Sequence, residues 1–80
     1  MSWKIYILEC GDGSFYTGIT NNLEKRFAAH ENGSGAKYTR GRGPLTIRYQ
    51  ENCANRSEAT KREIAIKKLD RQEKITLISQ

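Results

Sequence analysis

Two short segments rich in β-branched and aromatic residues, separated by a glycine turn, constrain the fold of this chain most strongly. The first covers residues 3–9 and the second covers residues 14–19. Runs of this composition, bounded by turn residues, predict β-strands. The Gly11-Asp12-Gly13 segment between them predicts a tight turn. Together they predict an antiparallel β-hairpin.

The length of the turn decides which side chains share a face of the hairpin, because a slip of one residue reverses every side chain. A two-residue loop would put Tyr6 and Tyr16 on opposite faces. A three-residue loop over residues 11–13 pairs Tyr6 with Gly18 and places both tyrosines on one face. We favour the second register because it gathers apolar side chains on the other face, namely Ile5, Ile7, Phe15 and Ile19.

A helix and a long loop follow the hairpin. Asn21 or Asn22 can cap a helix over residues 22–31, and Asn32-Gly33 can end it. Residues 33–43 contain four glycines and four basic or aromatic side chains, so they predict a flexible basic loop.

The remaining segments predict one strand and two helices. Residues 45–51 alternate as a third strand, Ser57 caps a helix that runs to about Leu69, and Asp70 with Glu73 forms a capping box for a last helix. The order β-β-α-β-α-α predicts an α+β fold, with a small three-stranded antiparallel sheet flanked by three helices. We expect a single domain over residues 1–80.

The charge of the chain indicates an anionic partner. Fourteen Lys and Arg residues against nine Asp and Glu residues give a net charge of +5, and such a balance favours binding to a polyanion such as DNA. No apolar run reaches the roughly 20 residues needed to span a bilayer, and no signal peptide precedes the first strand. We therefore expect a cytoplasmic protein without membrane contact.

Tyr6 and Tyr16 are the first candidates for chemistry. The simple alternative is that they are packing residues with a polar tip. Two tyrosines on one face, with Gly18 opposite one of them, favour a site, because a glycine leaves room for close approach of a ligand.

Arg26 and His30 lie one turn apart on the first helix, beside the apolar residues Leu23 and Phe27. These apolar residues would dock on the sheet, which places Arg26 and His30 at the edge of the docking face. A lone helix arginine is otherwise a solvated charge, but here it becomes a candidate phosphate ligand.

Glu63 interrupts an apolar stripe that includes Ala59 and Ile66. A partly buried carboxylate must be paired, protonated or bound to metal. The structural alternative is an ion pair with Lys67. As a metal ligand, one carboxylate suits Mg²⁺, which keeps most of its waters and borrows oxygens from a phosphate.

The basic loop is a candidate nucleic-acid surface. Lys37, Arg40 and Arg42 could follow a phosphate backbone while Tyr38 stacks on a base. The alternative is a solvated loop. Taken together, a proton acceptor, a hydroxyl, a phosphate-binding cation and a metal ligand are the equipment for cleaving a phosphodiester.

The spacing of these residues resembles the GIY-YIG endonuclease superfamily, and within it the short single-domain bacterial branch. Lys4-Ile5-Tyr6 stands where the family has Gly-Ile-Tyr, and Tyr16-Thr17-Gly18 where it has Tyr-Ile-Gly. Arg26, His30 and Glu63 stand where the family carries its catalytic arginine, a histidine or tyrosine, and its metal-binding glutamate.

The resemblance implies a DNA endonuclease with one Mg²⁺ or Mn²⁺ at Glu63. Tyr6 would be the general base, with a pKa lowered by the site, and Tyr16 would orient phosphate or water. Arg26 would stabilise the pentavalent phosphate, and His30 would bind phosphate or shuttle a proton. DNA repair or recombination is the implied setting.

Two departures from the family pattern leave alternatives open. Ile19 follows Gly18 where related DNA-excision nucleases tend to have lysine, and the asparagine that follows the glutamate in some members has no counterpart. We also expect no extra recognition domain, so targeting would come from DNA structure or from a protein partner. The alternatives are a module of this fold that binds nucleic acid without cutting it, and a structural adaptor.

Overall fold

The computed structural model describes residues 2–79 and places three strands and three helices along them. The strands are β1 (Trp3–Glu9), β2 (Phe15–Thr20) and β3 (Thr46–Cys53), and the helices are α1 (Leu23–Glu31), α2 (Arg56–Lys67) and α3 (Arg71–Ile78). A single 3₁₀ turn, Lys37–Thr39, lies between α1 and β3. The order confirms the α+β fold that the sequence predicts. None of the helices in the described part is long and apolar enough to cross a membrane.

The sheet is antiparallel, with strand order β2-β1-β3. Tyr6 pairs with Gly18 and Leu8 with Tyr16, which confirms the favoured register. The Cys10 amide donates to the Ser14 carbonyl at 2.8 Å, so three residues form the tip of the hairpin. Gly13 adopts a φ of 85° there, a conformation that a residue with a Cβ rarely adopts.

Strand β1 is the centre of the molecule because it is covered on both faces. On one face, Ile5 and Ile7 are fully buried against Ile66 of α2, with residues of α3 packed around them. On the other face, Tyr6 and Leu8 form a second core with Cys10 and Leu45, and Leu23 and Phe27 of α1 dock on it. The two tyrosines therefore lie on the face that α1 covers, while α2 packs on the opposite face.

The boundaries of several elements differ from the prediction by one or two residues. The largest correction concerns the start of α2, where Asn55 is the N-cap and its side chain accepts a hydrogen bond from the Glu58 amide. Ser57 lies inside the helix, so the prediction that it caps α2 is wrong. Asn55 is the cap because it has the extended backbone of an N-cap residue, whereas Ser57 already lies within the first turn of the helix. The Asp70–Glu73 capping box of α3 is confirmed.

The cap of α2 gives a direct stability test. We expect Asn55→Ala to lower the free energy of unfolding by about 1 kcal/mol, because the first-turn amides of α2 lose their acceptor. The matched control Ser57→Ala should change it by less than about 0.5 kcal/mol. Urea unfolding of the two variants measures both, and equal losses would contradict the assignment of the cap.

Candidate active site

Three aromatic rings meet on the α1 face of the sheet, at the centre of the molecule. The Tyr6 hydroxyl lies 2.8 Å from Nε2 of His30. Tyr6 and His30 are each only 1% exposed. The Tyr16 ring lies 5.2 Å from the His30 ring and 6.4 Å from the Tyr6 ring, measured between centroids. The structure thus brings together three of the residues that the sequence singled out.

Gly18 permits this arrangement because it has no side chain. A Cβ at this position would lie 2.6 Å from the Tyr6 hydroxyl oxygen and 2.7 Å from its ring carbon Cζ. The sequence suggested that the glycine leaves room for a ligand. In the structure, the phenol of its strand partner occupies that room.

His30 is buried more deeply than the sequence indicated. The helix pattern placed it at the edge of the docking face, but residues 33–43 fold back over the end of α1. A Cβ on Gly35 would lie 2.5 Å from Nδ1 of His30, and Thr39 places its hydroxyl 2.9 Å from the same nitrogen. The expectation was wrong because the path of this loop, rather than the helix period, encloses the ring.

Thr39 is a site residue that sequence reasoning missed. It is 2% exposed and comes from the 3₁₀ turn, nine positions after His30. The sequence offered one sign of this residue, which was a small hydroxyl side chain inside a basic loop. That signal does not identify a partner, because the spacing along a glycine-rich loop does not fix which side chains meet.

Burial shifts the pKa values of Tyr6 and His30 in opposite directions. Burial raises the pKa of Tyr6 to about 12, although the nearby Arg26 guanidinium offsets part of the rise. Burial, together with the positive charge of Arg26, lowers the pKa of His30. Arg26 alone therefore does not lower the pKa of Tyr6 below its ordinary value, since desolvation outweighs a single cation. The lowering expected from the whole site, metal ion included, stays a prediction. At neutral pH, Tyr6 carries its proton and His30 is neutral.

Arg26 lies beside both phenols. The pKa of Arg26 is raised, mainly by the Tyr6 hydroxyl and to a smaller extent by Tyr16. The side chain is half-buried, so a charged group remains at the border between the buried cluster and solvent. That position suits a cation that meets an anion arriving from outside.

Glu63 lies outside the hydrogen-bonded cluster. Its carboxylate forms an ion pair with Lys67 at 3.5 Å, and its side chain is 20% exposed. Glu63 belongs to α2, which packs on the opposite sheet face. Its negative charge nevertheless makes a minor contribution to the raised pKa of Tyr6. Among residues 2–79, no three His, Cys, Asp or Glu side chains form a metal-binding group.

The donor set at Glu63 nevertheless fits one kind of metal. A half-buried carboxylate without protein co-ligands suits Mg²⁺ or Mn²⁺, which can take its other ligands from water and phosphate oxygens. It does not suit Zn²⁺, which normally takes three or four protein ligands.

The basic loop borders the cluster through an aromatic contact. The Tyr38 ring is 5.9 Å from the Tyr16 ring, measured between centroids, and the Arg42 guanidinium lies 4.7 Å above Tyr38. Arg42 also donates to the Asp12 carboxylate at 2.6 Å. Arg40 donates to the Gly33 carbonyl at 3.1 Å. The loop is therefore anchored to the hairpin tip, with Tyr38 42% exposed.

The fold and the cluster define the class of protein. The GIY-YIG catalytic domain family matches residues 2–76, and the chain belongs to this family. The tyrosines of both family tripeptides meet on one face, as described above.

Curated relatives specify the branch of the family. A UPF0213 protein of Clostridium perfringens is 61% identical over 75 residues, which cover 94% of this chain and 81% of that protein. One from Oceanobacillus iheyensis is 57% identical over 92% of this chain and 86% of its own length. The chain thus falls among the short UPF0213 proteins.

Solved structures of this branch share the fold. The solution NMR structure of a UPF0213 protein from Bacillus halodurans matches with a TM-score of 0.63 at 44% identity, covering 99% of this chain and 84% of that one. A second NMR structure, of a protein from E. faecalis, matches with a TM-score of 0.68 at the same identity and coverage.

The contact between Gly18 and Tyr6 makes a prediction about stability. We expect Gly18→Ala to lower the free energy of unfolding by about 1–3 kcal/mol, because the new methyl group would displace a buried phenol. Gly43→Ala is the matched control, since a Cβ there meets no atom within 4 Å. Thermal or urea unfolding measures the difference. A Gly18→Ala protein as stable as the control would contradict the packing of Tyr6 over this residue.

Proposed function

We propose that this protein is a divalent-metal-dependent DNA endonuclease that hydrolyses phosphodiester bonds, acting on structured or damaged DNA. One observation carries the proposal: a buried hydrogen bond joins the Tyr6 hydroxyl to the His30 imidazole at 2.8 Å, with Arg26 beside it. A proton donor and a neutral acceptor next to an anion-binding cation are the parts that phosphodiester hydrolysis uses.

The proton of the attacking water has a defined route through these residues. Because the pKa of Tyr6 is raised, its side chain is a neutral phenol at neutral pH and not a phenolate. It can take a proton from water only while it gives its own proton to Nε2 of His30. The lowered pKa of His30 means that the imidazole is neutral before the step and able to accept. The products of the transfer are a hydroxide for attack on phosphorus, a neutral tyrosine and an imidazolium.

Arg26 would stabilise the charge that builds up on the phosphate during attack. It is the half-buried cation at the border of the cluster, and a preorganised charge in such a place contributes more than one in open solvent. Tyr16, whose ring lies against His30, would orient the phosphate or the water.

Glu63 would hold the metal ion. When bound, Mg²⁺ or Mn²⁺ would act as a Lewis acid that stabilises the leaving oxygen. Binding requires Glu63 to release Lys67 from their ion pair at 3.5 Å. A pair four residues apart on one helix, with its lysine exposed, contributes about 0.3–0.5 kcal/mol, so the exchange costs little.

DNA would approach the side where the basic loop meets the cluster. Lys37, Arg40 and Arg42 belong to this loop, and Tyr38 is its exposed aromatic ring. For a base to stack on the covered face of Tyr38, the Arg42 guanidinium must swing off the ring.

The burial of Tyr6 favours a second candidate function. A phenol that is 1% exposed and a carboxylate already paired with Lys67 also suit a module that binds nucleic acid without cutting it. The two functions differ in one measurable property, which is cleavage in the presence of a divalent ion.

A matched pair of glutamates on α2 tests the metal site. We expect Glu63→Gln to lower kcat for cleavage of branched or flapped DNA by about 10²-fold or more, because Lewis-acid stabilisation of the leaving group is lost. Glu58→Gln is the control, since Glu58 lies on the same helix and also pairs with a lysine, at 3.6 Å. It should stay within about twofold of wild type. EDTA should abolish cleavage by wild type and control alike.

The outcomes separate the two functions. Equal rates for the Glu63→Gln and Glu58→Gln proteins would remove Glu63 from the mechanism. No cleavage by wild type in Mg²⁺ or Mn²⁺, with DNA binding retained, would replace the endonuclease with the binding module.

The salt dependence of DNA binding tests the basic loop. Each phosphate contact that is lost reduces the slope of log K against log salt by about 0.7–0.9. We expect Lys37→Gln to reduce the slope by this amount, whereas Lys74→Gln on α3, which packs on the opposite sheet face, should not. Fluorescence anisotropy over a range of salt concentrations measures both. The same reduction in both variants would mean that charge alone, and not the loop, determines binding.

A further inference from the structure

Thr39 contacts the Nδ1 side of the His30 ring, and this contact bears on which ring nitrogen carries the proton. Both nitrogens of the imidazole face a hydroxyl: Tyr6 lies 2.8 Å from Nε2 and Thr39 lies 2.9 Å from Nδ1. A neutral imidazole has one N–H donor and one bare acceptor nitrogen. The network around the ring therefore decides which nitrogen carries the proton.

The Thr39 hydroxyl resolves this choice because it has a second partner. It donates to the Ala36 carbonyl at 3.0 Å, and a hydroxyl has a single proton to donate. With that proton used, its oxygen can only accept, so Nδ1 of His30 must be the donor. Nε2 is then bare and accepts from Tyr6.

The opposite tautomer satisfies the network less well. If Nε2 carried the proton, the Tyr6 oxygen would become the acceptor. In the described part of the chain, His30 is the one acceptor within hydrogen-bond distance of that hydroxyl, since the neighbouring Arg26 can only donate. A buried tyrosine proton would then lack an acceptor, which native structures avoid. In return, the bare Nδ1 of that tautomer could accept one long hydrogen bond, from the Ala36 amide at 3.5 Å.

We propose that Thr39 is a positioning residue, which holds His30 in the Nδ1–H tautomer so that Nε2 can accept the proton of Tyr6. The importance of this role for catalysis rests on the proposed function, because proton transfer from Tyr6 needs an unprotonated Nε2. Thr39 touches neither substrate nor metal. It acts through the imidazole alone, from the 3₁₀ turn that closes over α1.

The tautomer can be observed directly, because the chain contains a single histidine. In a long-range ¹H–¹⁵N spectrum of the uniformly ¹⁵N-labelled protein, a protonated and a bare ring nitrogen have well-separated shifts. We expect Nδ1–H in wild type at neutral pH. An Nε2–H ring in wild type would overturn the proposal without any variant.

Two substitutions test the cause. Thr39→Ser keeps the hydroxyl and should keep the Nδ1–H tautomer. Thr39→Val keeps the shape but removes the acceptor, so the ring should shift toward Nε2–H, with its bare Nδ1 receiving the Ala36 amide. Thr76→Val is the control, because it also removes a threonine hydroxyl that bonds to a backbone carbonyl. Thr76 donates to the Gln72 carbonyl at 3.1 Å, at an exposed position of α3. The control should leave the tautomer unchanged.

Cleavage assays connect the tautomer to the reaction. We expect Thr39→Val to lower kcat by about 10²-fold, the usual size of a lost proton transfer, with KM for DNA within about twofold of wild type. Thr39→Ser should recover most of this rate. A Thr39→Val protein that retains the Nδ1–H tautomer, or that loses its rate only through a higher KM, would contradict the positioning role.

The failure of the proposed function would be separable from failure of this inference. A wild-type protein that cuts no DNA would remove the endonuclease, whereas the ring tautomer would still show whether Thr39 orients His30. If Thr39→Val does not fold, the wild-type spectrum and Thr39→Ser still decide the question.

Discussion

The hydrogen bond between the Tyr6 hydroxyl and the His30 imidazole connects the central strand, helix α1 and the loop that follows it. Tyr6 comes from the central strand and His30 from α1, and the far side of the imidazole reaches Thr39 in the loop. A buried polar group must find a partner inside the protein, because leaving it unpaired costs about 1–3 kcal/mol. The strand, the helix and the loop are therefore held in one relative arrangement by groups that also suit proton transfer.

Two glycines make this arrangement sterically possible. Gly18 leaves space for the Tyr6 phenol, and Gly35 allows the loop backbone to pass directly against the His30 ring. A side chain at either position would collide with the cluster. The glycines of this protein that matter for the site thus act by admitting other residues, rather than by admitting the ligand.

Burial gives the cluster its chemical character. The same desolvation that keeps the proton on Tyr6 keeps it off His30, because each charged form is disfavoured in an apolar surrounding. The pair is consequently poised as a neutral donor and a neutral acceptor. Both shifts oppose a separated phenolate and imidazolium, so transfer to His30 requires Tyr6 to take a proton from water at the same time. Arg26 adds a positive charge at the border of the cluster.

The sequence by itself determined the hairpin register, the α+β order and the strand face that carries the tyrosines. These follow from local rules: alternation along a strand, glycine in a turn, and a capping box such as Asp70 with Glu73. The cap of α2 was assigned to Ser57 instead of Asn55 because both residue types are good N-caps, and the sequence alone does not say which of the two lies outside the first turn.

Tertiary structure decided the remainder, since it depends on contacts between residues far apart in the chain. The burial of His30 and its partnership with Thr39 arise when residues 33–43 fold over α1. The raised pKa of Tyr6 arises when α1 docks on its face of the sheet. No periodicity describes the path of a glycine-rich loop, so the sequence named the members of the site but not their protonation or their exposure. Side-chain identity is local information, whereas desolvation is a property of the assembled fold.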